Sequence, residues 1–405
     1  MAFFFLCIAI FVKFFQPQSI FPQMASFPFE KISIFVALIS YFFSSQKSKT
    51  PFWANKVNVF FASFVFLQII SSCAFYFYEG VETFNFWLHI SVIYYLVVNS
   101  AISTRRIKII ILMVILGVAY LSYYFLCNFV AAGYTPGKIA VAYGSYENAN
   151  DLVLILVAVI PLLLIFVNTT RKVLLKYFFT GITIMFSFNI FFTSSRNGML
   201  SLLIVGLLSM ILSHKISRFI RIVIYGLLLT GVFTIGLTNI LHRSDLSEGG
   251  RLYGDNSSEN RIEQWKAGMR MLKARPLLGV GRMQFKNFAE NYGGIRGLAP
   301  HNTLVQVFSE TGMPGGVFFI LFAFYPIFQA KKILSGFKEK NMPKLGDDIE
   351  VLLKFLLISV LGYWVCAFFG NRYDEVILYI VVALIVALLN IIKKNCMFEA
   401  NSFNI

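Results

Sequence analysis

The chain has 405 residues, 58% of them hydrophobic and 13% charged, with a mean hydropathy of +0.73. Soluble proteins are about a quarter charged, so the composition excludes an ordinary soluble domain. The net charge of +16 would suit nucleic acid, yet the basic residues fall in short clusters between apolar runs. That pattern sets orientation in a bilayer, and no nucleic-acid partner is expected.

The apolar runs approach the ~20 residues needed to cross a bilayer. They predict an all-α polytopic membrane protein, a single transmembrane domain over residues 1–405. Twelve spans fit, at 2–15, 28–45, 57–77, 84–100, 107–131, 150–168, 174–193, 197–213, 219–241, 303–330, 350–370 and 375–392. No basic residue precedes the first apolar run, which therefore reads as a retained span and not a cleaved leader. Alternating sides from a cytoplasmic N-terminus places Lys47, Lys49 and Lys56 inside, then Arg105, Arg106 and Lys108, then Arg171, Lys172 and Lys176. Lys215, Arg218 and Arg221 follow, then the five lysines from Lys331 to Lys344, and finally Lys393 and Lys394. The short segments on the other side hold only Lys138, Arg196 and Arg372. A miscounted helix would exchange every later loop, so this asymmetry supports the count, two cytoplasmic termini and an outward, periplasmic 242–301. The five cysteines lie in or beside apolar spans and imply no disulfide framework.

Residues 242–301 form a long polar loop with ten Lys or Arg against six Asp or Glu. Long loops escape the orientation rule, and their excess of cations calls for an anionic partner. Within the loop, 259–274 reads as an amphipathic helix. Ser257 or Ser258 caps it, Glu259 suits its positive end and Pro276 stops it. Arg261, Trp265, Gly268, Met269 and Leu272 share a face at three- and four-residue spacing. Such a face would lie on the membrane surface or on the roof of the bundle. Gly279, Gly281, Gly293, Gly294 and Gly297 predict a turn-rich return to the tenth span.

Several side chains here could carry chemistry. Arg196 sits in a tight turn between two spans, where a guanidinium either meets an anion or snorkels to headgroups. Arg261, in the first turn of the loop helix, opposes the helix dipole at a cost of a few tenths of a kcal/mol. Together with the N–H groups of the helix start it would seat a phosphate; otherwise it is a plain surface arginine. Arg251 and Arg282 are further substrate-binding candidates of that kind. His301 is a natural base near neutral pH, or a hydrogen-bonded structural histidine, held between Pro300 and the helix-capping Asn302. Asn150, in Asn148-Ala149-Asn150-Asp151, would hold sugar hydroxyls or help orient an arginine, and equally suits a helix cap. Glu147 with Asp151, and Asp374 with Glu375, are carboxylate pairs without histidines or a recognised ion-binding spacing. With arginines available to neutralise an anion, neither metal nor cofactor is expected.

Five segments in order carry a resemblance. They are Tyr146-Glu147-Asn148-Ala149-Asn150-Asp151, Ser194-Ser195-Arg196-Asn197-Gly198, Asn260-Arg261-Ile262-Glu263-Gln264-Trp265, Arg275-Pro276-Leu277-Leu278-Gly279-Val280-Gly281, and His301-Asn302-Thr303-Leu304 with Glu310-Thr311-Gly312-Met313-Pro314-Gly315. This set resembles the O-antigen ligase and O-antigen polymerase superfamily, which includes bacterial protein O-oligosaccharyltransferases, across 146–316. The first 145 residues match it in hydropathy only. Asn148-Ala149-Asn150 stands where a Pro-Asn pair is more usual, and Asn197 where a small residue is common; both departures bear on substrate detail.

The resemblance implies a glycosyltransferase of the bacterial inner membrane taking its glycan from a polyprenyl (undecaprenyl) diphosphate carrier. Arg196 and Arg261 would grip the diphosphate and His301 would activate or position the acceptor. A ligase would glycosylate lipid A–core in lipopolysaccharide biosynthesis, a polymerase another carrier-linked glycan, and a third type a protein. The His-Asn and loop pattern favours the ligase. A transporter or flippase of lipid-linked oligosaccharide is the reading from another class; it calls for charged, broken helices at mid-membrane and a cavity open to both sides. Membrane lipids complete the expected partners.

Overall fold

The computed structural model describes residues 1–24, 26–45, 48, 50–131, 146, 148–193, 195–212, 257–339 and 346–402. Among these residues there are helices and turns and no strand. The longer helices are α1 (Ala2–Phe15), α2 (Phe29–Phe42), α3 (Lys56–Cys73), α4 (Phe77–Ser100), α5 (Thr104–Ala131) and α6 (Ala149–Thr169). They continue with α7 (Val173–Phe192), α8 (Arg196–Leu212), α9 (Ser257–Ala274), α10 (Thr303–Glu339), α11 (Asp347–Phe368) and α12 (Val376–Ser402).

Nine described helical segments are long and apolar enough to cross a membrane. The chain is a multi-pass membrane protein. Every expected span except 219–241 falls on one of the longer helices, 28–45 and 197–213 on two that are not among those nine; 219–241 lies outside the described residues, with Lys215, Arg218 and Arg221. Two of the helices fall short of a span, whereas the 14 residues of α1 are extended by a further helical turn to Ile20. The 14 residues of α2 and the 17 of α8 reach about 21 and 26 Å at 1.5 Å per residue, less than the ~30 Å hydrocarbon layer. The start of α4 precedes expectation by a turn and more, because Glu79 fits the positive end of the helix instead of delaying it.

Two helices make the centre. Every residue from Leu152 to Leu163 in α6, and from Val376 to Leu389 in α12, is buried. A helix apolar on all sides belongs in a bundle interior, and these two pack around α11, with α7 and α8 on one side and α4 on the other.

Side-chain contacts define the ends of the bundle. At one end Met1, Ser100 and Arg106 line a common hollow, and Lys108 pairs with Asp348 at 2.7 Å. At the other end Arg372 pairs with Asp151 at 2.5 Å, Tyr146 donates to Glu375 at 2.9 Å and Ser195 donates to Asn150 at 2.9 Å. The segment from Ser257 to His301 covers this second end.

The covering segment is locked to the bundle through a break in α10. Gly312 adopts φ 71° and ψ −174°, and Pro314 has no N–H to offer the Glu310 carbonyl. Backbone groups released inside a membrane protein must find partners, and the loop supplies them. Val280 N–H donates to Ser309 O at 2.9 Å, Gly281 N–H to Glu310 O at 3.0 Å, and Met313 N–H to Pro276 O at 2.7 Å. Ser71 Oγ adds a bond to Glu310 O at 2.6 Å. The glycines permit this approach: a Cβ at Gly312 would stand 2.5 Å from the Leu277 carbonyl carbon. Gly312→Ala therefore adds a backbone clash to the ~1–3 kcal/mol cost of an alanine in that conformation. Gly297, at φ 79° with open space around it, incurs the second cost alone. Thermal unfolding in detergent should show Gly312→Ala shifting the midpoint well beyond Gly297→Ala; equal shifts would contradict the docking described.

Candidate active site

Helix α9 begins at Ser257 and ends at Ala274, before Pro276. Gln264, Ala267, Gly268 and Met271 form its buried face, and Gly268 brings it close to Val305 and Ser309 of α10 while Ala267 packs on Gly294. It thus lies on the bundle roof. Met269 is corrected: it is 51% exposed, because the packed face is centred on Ala267–Gly268 and rotates Met269 outward. Arg261 is corrected too, since a helix starting at Ser257 puts it in the second turn, away from the free N–H groups of the first. Trp265 Nε1 donates to Pro300 O at 2.8 Å and Gln264 Nε2 to Ile295 O at 2.9 Å. These bonds fix the loop strand that carries His301.

His301 sits at φ 47°, a left-handed conformation uncommon outside glycine. Asn302 next to it accepts from the N–H groups of Leu304 and Val305 at 3.0 and 3.1 Å and caps α10. Its side-chain oxygen is thereby committed to the helix, which gives Asn302 a local structural job besides any substrate contact. Held this way, His301 borders two hollows. One, of about 160 Å³, is lined by Asn260, Arg261, Gln264, Leu298, Ala299 and His301. The other, of about 250 Å³, lies between His301, the start of α6 and the turn joining α11 to α12.

The electrostatics of the three principal candidates are linked. Burial, followed by the positive charge of Arg196, holds the Arg261 guanidinium below the ordinary arginine value. Burial, then the charges of Arg261 and Lys286, holds the His301 imidazole below the ordinary histidine value, with Asp151 opposing. Arg196 heads α8 and is exposed, next to Ser195, whose Oγ accepts from Gly198 N–H at 3.3 Å. Arg261 therefore lies within the field of Arg196 and His301 within that of Arg261, although Arg196 and His301 are 105 residues apart in sequence. The exposed Arg196 and the partly buried Arg261 guanidinium groups repel, and an anion between them would reverse the sign of that interaction.

The other candidates are placed less uniformly. Asn150 lines the larger hollow. Arg282 is engaged elsewhere: Nη2 meets Asp374 Oδ2 at 3.2 Å, and the guanidinium lies 3.8 Å over the Phe86 ring. It is not among the residues lining either hollow. Arg251 lies outside the described residues. The carboxylates that looked like possible ion ligands are otherwise employed, Asp151 by Arg372 and Glu375 by Tyr146. Among the described residues no three His, Cys, Asp or Glu side chains gather as metal ligands would.

Several residues of the larger hollow were not put forward as site candidates from sequence, among them Glu310 and Arg372, while Asp374 was read only as half of a carboxylate pair. Glu310 is fully buried, with Oε1 accepting from Gln306 Nε2 at 3.1 Å and Oε2 from the Tyr373 hydroxyl at 2.7 Å. A carboxylate within an apolar span was the available signal.

Residues 181–320 match the family model described as O-antigen ligase. This segment belongs to the O-antigen ligase family. It holds Arg196, Arg261, Arg282, His301 and Asn302, and both hydrogen-bonded halves of the α10 break. Asn150 and Asp151 precede the O-antigen ligase segment and Arg372 and Asp374 follow it, so the hollow is completed from outside the matched stretch. No curated protein matches the chain.

Proposed function

We propose that the chain is a membrane glycosyltransferase of ligase type, moving a glycan from a polyprenyl diphosphate carrier to a hydroxyl of lipid A–core. The observation that supports this reading best is the position of His301 and Arg261 on one hollow, with Arg196 close enough for its charge to act on Arg261, inside a segment of the O-antigen ligase family. With basic residues concentrated at the Arg106–Lys108 end, the positive-inside rule turns that end to the cytoplasm. The site then faces the periplasm at the outer leaflet, with both termini inside and about twelve spans in all.

The charges suggest the mechanism. As the bond between the anomeric carbon and the diphosphate oxygen breaks, negative charge grows on the departing diphosphate. Arg261 and Arg196 stabilise it, as prearranged donors do at a developing oxyanion. The acceptor oxygen attacks the opposite face of the anomeric carbon, inverting it. His301, neutral at pH 7 because burial and its cationic neighbours disfavour its protonated form, takes the hydroxyl proton. Arginines neutralise the leaving group in this scheme, without a metal.

The test is to give purified protein a polyprenyl-diphosphate-linked glycan together with either lipid A–core or a second carrier-linked glycan. Product on lipid A–core supports the ligase. Growth on the carrier would make the protein a polymerase, and transfer to neither would overturn the proposal.

A further inference from the structure

The hollow of about 250 Å³ has walls unlike those of the arginine side. Asp151, Glu310 and Asp374 line it together with Arg372, Lys286 and the amides of Asn150, Gln306 and Asn371, so charges of both signs and amide groups share its wall. Two of these amide oxygens, Gln306 Oε1 and Asn371 Oδ1, are buried with no hydrogen-bond partner among the described residues. Gln306 is 6% exposed, and its Nε2 is committed to Glu310, so the free atom must be the acceptor. Buried acceptors left without donors are costly and mark where a missing partner belongs.

The missing partner has to bring donors. A phosphate or carboxylate would bring only acceptors and leave both amide oxygens without a donor. A cation would find each carboxylate already engaged: Asp151 by Arg372, Asp374 by Arg282, and Glu310 by Gln306 and Tyr373. Sugar hydroxyls both donate and carry no charge. The volume lies below the ~300–1,000 Å³ of sites for drug-sized ligands, which suits a single sugar ring.

We infer that this hollow is the acceptor subsite, taking an uncharged, hydroxyl-rich sugar ring, while the smaller hollow beside Arg261 takes the anionic carrier. This rests on the glycosyltransferase reading above. His301 borders both hollows, so its imidazole meets the acceptor hydroxyl at the boundary between them. Gln306, Glu310 and Asn371 are the specificity-determining groups of the acceptor side.

The experiment measures steady-state transfer by the purified full chain with two acceptors, one ending in a neutral hexose and one in the matching uronic acid. The wild type should prefer the neutral acceptor about tenfold or more in kcat/KM, since a carboxylate in place of a donating hydroxyl leaves the buried amide oxygens unpaired. Glu310→Gln should reduce that preference several-fold. Asn371→Leu, which leaves Glu310 and its partners in place, should raise the acceptor KM about tenfold. Binding of glycan-free polyprenyl diphosphate should be unchanged in both variants. Unchanged acceptor kinetics in both variants, or a loss of carrier affinity instead, would overturn the assignment while leaving the transferase standing. No transfer by the wild type would remove the functional reading and this subsite with it.

Discussion

Arg261→Ala is expected to lower glycan transfer by about 10²–10³-fold with the protein still inserted and folded. Removing one preorganised donor from a developing oxyanion typically costs roughly 3–4 kcal/mol of barrier. Arg261 meets the conditions for an effect of that size: it is partly buried, it borders the hollow next to His301, and it is not tied up in an ion pair among the described residues. Its place in the second turn of α9 means the loss is that of the guanidinium itself, not of helix capping. Arg196→Ala should cost less if the more exposed side chain is more screened. The pair should also be non-additive, because each arginine lies in the field of the other. The check is kcat for carrier-linked glycan in a reconstituted assay, beside a binding measurement with the carrier alone. Near-normal turnover in Arg261→Ala would remove it from the mechanism.

His301→Ala should lower transfer by about 10²–10⁴-fold, the range for a positioned general base. The pH dependence gives a sharper check. The active form of His301 is neutral, so kcat/KM falls as pH drops through its pKa. That pKa lies below the ordinary ~6.5, because burial, Arg261 and Lys286 all disfavour the protonated ring. The acidic limb should therefore have its midpoint below that of an unperturbed histidine. Lys286→Ala removes one opposing charge, makes protonation easier and should move the limb upward in pH. The limb should vanish from the residual activity of His301→Ala. A limb above the ordinary histidine value, or one moved downward by Lys286→Ala, would contradict a base in this environment.

Hydropathy and basic clusters made most of the helical plan legible, since span length and loop charge are local properties. The association of Arg261 with His301 was legible as well, through a polar loop whose helix and return both had clear stop and turn signals. Pairings across long separations were not. Arg282 looked equivalent to Arg261 until folding brought it to Asp374, 92 residues away. Arg372 appeared as a stray cation in a short turn, and its partner Asp151 lies 221 residues earlier. Glu310 was read within a motif without weight on its charge, although an isolated carboxylate in an apolar helix is expensive unless something uses it. The break at Gly312 was foreshadowed by Gly-Met-Pro-Gly, where a glycine and a proline together weaken helical hydrogen bonding. Which face of α9 packs could not follow from periodicity alone, because Met269 and Met271 give adjacent stripes. Gly268, which allows close contact with α10, and Ala267, which packs on Gly294, decided it.

The most direct measurement is quantification of both products in one reaction: carrier diphosphate released and acceptor glycosylated, from purified protein and a polyprenyl-diphosphate-linked glycan. The wild type should yield the two in equal amounts, with an inverted anomeric centre, and a protein carrying Arg196→Ala, Arg261→Ala and His301→Ala together should yield neither. Retained configuration, or comparable product from the triple variant, would contradict the account.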